Sequence, residues 1–220
     1  PVPDFIDNKI TSLFSFQDRL GCVTPNNVSF SGTGDYFNFF RTTVRDIDAS
    51  DPFTAAPNLT KGDSLRKAIP FERELVLLAN ESQYTVKATE GLSPSTVAIV
   101  QSSNVSAGIH PSVAVVGSDM FISNTEAESS GVTALRKSRQ ASDRFDVFDT
   151  SMDTPGFLPR APIQMTGSSK HKMLFYLDNG ISTGARTELY VYSWLDTKDG
   201  RSQSAWSKWT FGADYNIHDI

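Results

Sequence analysis

The chain has 220 residues, 39% of them hydrophobic and 20% charged, a globular balance that excludes a disordered tail. Its net charge of -5 disfavours a classical nucleic-acid binder, which would show a basic stripe, but does not exclude a wall past which DNA slides. Cys22 is the only cysteine, which rules out an intrachain disulfide and a cysteine-rich zinc site within these residues.

Taken in chain order, the apolar segments are short, often alternating and rich in Val, Ile, Phe, Tyr and Thr, the pattern of strands rather than helices. The first residues, PVPDFIDNK, lack the charged-then-apolar pattern of a leader, so none is expected. Strands are expected at 12–16, 20–24 and 28–31, then a helical turn near 35–40 and another near 64–68. Further strands are expected at 74–79, 83–88, 96–101, 112–116, 120–123 and 131–135. Residues 138–162 are polar and then carry Pro155, Pro159 and Pro162, so they read as an extended connection unsuited to the middle of a sheet. The last strands fall at 163–167, 172–177, 187–194 and 204–211, and the closing YNIHDI reads as a strand in progress, so the chain is expected to be part of a longer protein. No apolar run reaches the roughly 18 residues that a membrane helix needs.

A loose repeat runs through these segments. Apolar strands centred at Leu13, Leu75, Met120 and Met173 are 62, 45 and 53 residues apart, and each is followed by a polar turn and a second strand. The expected fold is therefore all-β, built of antiparallel meanders. A β-propeller-like arrangement and a β-sandwich both produce this spacing.

Little of the sequence points to catalysis. GISTG at 180–184 matches the pattern of a nucleophile elbow around Ser182, but a strand follows it where the elbow needs a helix, so Asn179-Gly180 reads as a hairpin tip. His110, His171 and His218 are scattered. Asp46, Asp48 and Asp51 are close together but lack the glycine and distal glutamate of a calcium loop, and read as a solvated acidic loop. Sequons at Asn27, Asn58, Asn80 and Asn104 are expected by chance in a chain rich in Ser, Thr and Asn. SGTGDYF lacks the third glycine of a dinucleotide loop. No catalytic, cofactor-binding or metal residue is expected. The aromatics Tyr36, Phe37, Phe39 and Phe40 are too close in sequence for one strand or helix face to bury them all, so they are expected to pack on their own sheet or against a neighbouring domain or subunit. Trp206 and Trp209, three apart on one strand, are expected to face opposite sides.

The passage FSFQDRLGCVTPNNVSFSGTGDYFNFF resembles the tail tubular protein B, or tail nozzle, family of T7-like podophages. Phe14, Phe16, Arg19, Leu20, Gly21, Asn27, Val28, Ser31, Gly34, Asp35, Tyr36, Phe37, Asn38 and Phe39 sit at matching positions. Residues 68–99, with Leu92, Ser93 and Pro94 at a turn, and residues 156–211, with GSS, LYVY and QSAWSKW, are similar in the same order. Residues 136–153 and the TEAESSG stretch depart from the family pattern, and Cys22 stands where an apolar residue is usual. The resemblance implies a propeller-like nozzle body in residues 1–220, in a six-fold ring of identical chains at the distal end of a short, non-contractile tail. It also implies docking on a tail adaptor ring (tubular protein A), tail fibres near the junction, and a channel for double-stranded DNA bound without sequence preference. A polysaccharide-degrading tail enzyme and a carbohydrate-binding propeller are the alternatives.

Overall fold

The computed structural model describes residues 2–220 apart from 42, 44, 45, 89, 90, 109, 126–129, 139–143, 160, 161, 179–185, 198, 199 and 213. The chain divides into two compact units, Pro1–His110 with Gln140–Arg144, and Pro111–Arg139 with Phe145–Ile220. The only helix among the described residues is a single 3-10 turn at Asp4–Ile6.

The first unit holds two four-stranded sheets. Strands β1 (Ser12–Phe16), β2 (Arg19–Val23), β3 (Val28–Phe30) and β4 (Phe53–Ala55) form one, and β5 (Leu65–Phe71), β6 (Glu74–Ala79), β7 (Gln83–Ala88) and β8 (Val97–Ser103) the other. In both, each strand pairs antiparallel with its neighbours in sequence. β1 and β5, the first strands of the two sheets, lie against each other. Phe14, Val23, Val28 and Phe30 from one sheet and Leu65, Leu75, Leu77 and Tyr84 from the other form a single core. Burying side chains of this size contributes roughly 1.5–3 kcal/mol each, which is what holds the sheets face to face.

The second unit repeats the plan. Its sheets are β9 (Val113–Val116), β10 (Asp119–Thr125), β11 (Ser130–Lys137) and β12 (Phe145–Asp149), then β13 (Gln164–Ser168), β14 (Met173–Leu177), β15 (Glu188–Thr197) and β16 (Gly200–Thr210). Again the first strands, β9 and β13, adjoin. The shared core is aromatic: Phe121, Tyr176, Tyr190, Tyr192 and Trp194 are buried in it, with Trp206 packed against it. Trp206 also donates its indole N–H to the Thr150 carbonyl at 2.9 Å. Trp209 lies on Phe175 with 44% of its surface exposed, so the two tryptophans take the opposite faces expected of them.

The all-β meander architecture matches the sequence reading, with three local differences. The helical turn expected near 64–68 is strand β5. A bulge between Leu65 and Lys67 shifts the register, so Leu65 and Ala68, three apart, are both buried and imitate helical spacing. The turn expected near 35–40 is not helical; Asp35 N–H bonds the Gly32 carbonyl and Asn38 N–H bonds that of Asp35, each at 3.2 Å, giving two successive tight turns. Within 138–162, the described residues include β12, an edge strand beside β11. The repeat also becomes more even in the structure. Leu75, Met120 and Met173 lie on the second strand of their sheets, whereas Leu13 lies on a first strand. Counted from Leu20 on β2, the separations are 55, 45 and 53 residues.

Two glycines are required where strands approach closely. A Cβ on Gly21 would lie 2.0–2.5 Å from three ring atoms of Phe14, its cross-strand partner, so the ring covers bare backbone. A Cβ on Gly167 would lie 2.4 Å from Val116 Cγ2, so this glycine lets β13 close on β9.

Candidate functional site

The feature of the first unit best suited to recognition is the long connection 31–52 between β3 and β4. It is organised from the β1–β2 hairpin. That hairpin turns through Gln17 and Asp18, whose φ angles are 46° and 58°, the left-handed region that non-glycine residues avoid. Both residues are held there by bonds. Gln17 Oε1 accepts the Leu92 N–H at 2.8 Å. The Asp18 carbonyl accepts the Gly34 N–H at 2.9 Å, and Asp18 Oδ1 accepts the Tyr36 hydroxyl proton at 2.5 Å. The bond to Asp18 pushes the Tyr36 hydroxyl pKa up.

The next residue, Arg19, is the largest fully buried side chain among the described residues, at 1% exposure. Its guanidinium donates to the carbonyls of Ser31 at 2.5 Å, Asp51 at 2.9 Å and Ala49 at 2.6 Å, and lies 5.3 Å from the centre of the Phe53 ring. Both ends of the connection are thus tied to one side chain. Burial lowers the Arg19 pKa, opposed by the charge of Asp51.

Between these ties the loop displays its aromatics. Phe39 is half-buried against Phe5, edge to face at 4.9 Å. Phe37 is 90% exposed, with Tyr36 and Phe40 exposed beside it. Further bonds fix the loop: Gly32 N–H to the Asn38 carbonyl at 2.9 Å, and Phe40 N–H to Asn38 Oδ1 at 3.1 Å. A cleft of about 340 Å³ opens where the loop meets the amino-terminal segment, with Val2, Asp4, Phe39, Arg41 and Phe53 in its walls.

The other residues singled out in the sequence do not assemble into a site. Asp48 Oδ1 accepts the Ser50 N–H at 2.9 Å and the Ser50 hydroxyl at 3.0 Å, and Asp51 Oδ2 accepts the Asp48 N–H at 3.0 Å. Those Ser50 bonds hold the Asp48 carboxyl below its usual range. The acidic cluster is a self-capped turn. Among the described residues, no group of three or more His, Cys, Asp or Glu is placed to hold a metal. Ser182 and the rest of GISTG lie outside the described residues.

The second unit contains a charge cluster that sequence reading missed. Asp119, 3% exposed at the start of β10, meets Arg136 Nε at 2.6 Å and Arg201 at 2.7 Å. Arg201 also meets Asp196 at 3.3 Å and lies 4.8 Å from the centre of a Trp194 ring. Burial pushes the Asp119 carboxyl up, but the hydrogen bonds and charges of the two arginines outweigh it and hold the carboxyl below its usual range. The cluster joins β10 and β11 to β15 and β16. The Asp119–Arg136 pair is a cross-strand neighbour, but Arg201 is 82 residues away, so no sequence window holds all three.

Antiparallel meanders, a buried arginine that gathers backbone carbonyls, two part-buried arginines that join strands, and a loop that offers aromatics to solvent are the features of an all-β scaffold. A family model described as bacteriophage nozzle protein matches residues 1–220, and the chain belongs to that family. It is a structural component of a phage tail, located in the virion. It is similar to tail tubular protein gp12 of Escherichia phage T7, with 22% identity over 217 residues, covering 99% of this chain and 27% of that protein. The chain therefore spans about a quarter of the length of the curated relative it matches.

Proposed function

We propose that these 220 residues are part of the body of a ring, six-fold and made of identical chains, that forms the distal tube of a short non-contractile tail and lets the genome pass into the host. The observation that carries this is the nozzle-family match over the whole chain. Successive four-stranded meanders whose first strands adjoin support a propeller-like body, and a net charge of -5 suits a wall that repels the DNA backbone rather than holding it. In this reading the part is structural and has no turnover, catalytic residue, cofactor or metal. An adaptor ring and the tail fibres are its neighbours, and residues 138–162 connect parts of the body. The experiment is electron cryomicroscopy of the virion tail with and without imposed symmetry, alongside a saccharide-degradation assay. A six-fold ring containing this chain and no sugar release are expected; a chain absent from the tail tube, or sustained glycan turnover, would overturn the proposal.

A further inference from the structure

The β15–β16 hairpin of the second unit outruns its sheet. β15 has ten residues and β16 eleven, but β14 has five, and its pairing with β15 runs only from Leu177↔Leu189 to Met173↔Ser193. One more main-chain bond follows, from the Trp194 N–H to the Lys172 carbonyl at 3.1 Å. β16 is an edge strand, so past Trp194 each of the two strands has the other as its sheet neighbour and no third. The register then shifts between Leu195 and Asp196; past the shift, Asp196 pairs with Arg201 and Thr197 with Gly200.

This hairpin end has no hydrophobic anchor. Its sequence, DTKDGR at 196–201, contains no apolar side chain to bury. Polar contacts of Asp196 and Arg201 hold it down instead. Asp196 accepts the Trp194 indole N–H at 3.2 Å and faces Lys172 Nζ at 3.7 Å, both on its own sheet. Arg201 meets Asp196 at 3.3 Å, lies over the Trp194 ring at 4.8 Å from its centre, and reaches Asp119 on the facing sheet at 2.7 Å. These ties differ in weight. Lys172 is exposed, so its ion pair contributes little. Asp119 is buried, where water cannot replace a lost partner. Arg136 bonds the same carboxylate from β11, so it stabilises the unit without closing the hairpin end.

We infer that the hairpin end is a latched element: it opens locally about the register shift, lifting Arg201 from the Trp194 ring while the sheets stay paired, and Asp119 is the latch. The closed position rests on a single buried carboxylate because no apolar side chain of the end shares the task.

The test is native-state amide hydrogen exchange of the full-length protein, read by mass spectrometry. In the wild type, peptides covering 195–203 should exchange through an opening that low urea hardly accelerates, whereas those of β14 should show the urea dependence of whole-unit unfolding. Asp119→Asn and Arg201→Met should each speed exchange at 195–203 roughly 30-fold. Arg136→Met should speed exchange in β14 and leave 195–203 at the wild-type rate, because its bond is present whether the end is open or closed. A urea dependence at 195–203 equal to that of β14 would overturn the proposal. So would unchanged exchange there in Asp119→Asn and Arg201→Met proteins with wild-type circular dichroism, or equal acceleration of both regions by Arg136→Met.

Discussion

Replacing Arg19 with methionine tests the claim that one buried side chain organises the loop 31–52. Methionine has a similar stem and is at home in a core, so little packing is lost. What is lost is the guanidinium, which donates to the carbonyls of Ser31, Ala49 and Asp51. Leaving such acceptors unsatisfied costs about 1–3 kcal/mol each, and partial rehydration as the loop loosens returns some of it. Removing the buried charge returns more, because burial already disfavours the charged form of Arg19. A net loss of about 3 kcal/mol is expected. Cys22 is the natural reporter. It is 4% exposed on β2, three residues from Arg19, and burial pushes its thiol pKa up, so alkylation requires the unit to open. A loss of about 3 kcal/mol corresponds to alkylation roughly 150-fold faster when opening is a pre-equilibrium. Cleavage of the loop by a protease should accelerate in parallel. If Arg19→Met left both rates at the wild-type level, desolvation would offset the three carbonyl bonds, and the loop would owe its order to something else.

Three more substitutions test the packing. Gly21→Ala puts a Cβ into the Phe14 ring and should cost about 1–3 kcal/mol in urea unfolding followed by circular dichroism; combined with Phe14→Ala, the two effects should be less than additive. Gly167→Ala should separate β13 from β9 at a similar cost, and Val116→Ala in the same chain should relieve part of it. Asp119→Ala leaves Arg136 and Arg201 without their shared carboxylate and should cost about 3–5 kcal/mol, read by fluorescence of Trp194, Trp206 and Trp209, all in the second unit. Because the folded Asp119 pKa is depressed, its contribution is complete above the unfolded carboxylate value near 4 and is lost as pH falls through the folded value. Acid should therefore destabilise the wild-type second unit more steeply than the Asp119→Ala unit, whose remaining slope comes from groups such as Glu188, also held low by Lys208 and Tyr190.

Most strands were legible because their cores are local in sequence. ELVLLA and QYTVKA announce β6 and β7 by composition alone, and both bounds agree with the structure. The strands that escaped lacked that signal. β4 has three residues, FTA, and exists because it pairs with β3 across a long connection. β12 reads FDVFD, exposed except at its first residue, and needs only one neighbour. β5 was misread because its bulge spaces buried residues by three. The exposed Tyr36–Phe40 cluster was visible as an excess of aromatics that no single face could bury. Its anchor was not, since the carbonyls that Arg19 holds are 12 to 32 residues ahead and carbonyls have no side-chain identity to read.

The residues that carried the family resemblance are largely those with a task at the backbone level. Phe14 covers Gly21 across the β1–β2 pair, and Arg19 gathers three carbonyls. Ser31 Oγ accepts the Leu20 N–H at 3.0 Å. Gly34 occupies φ 69° and reaches the carbonyl of Asp18, whose carboxylate in turn holds Tyr36. Such tasks depend on atoms whose positions the fold dictates, so few other side chains can perform them. Most other positions require only an apolar residue of suitable size or any polar one. The chain shares 22% identity with its T7 relative, and the tasks in this passage are ones for which a substitute side chain is hard to find. Phe37 is the exception in that passage: it is 90% exposed and makes no ring contact among the described residues, so no packing or main-chain task in these residues accounts for it.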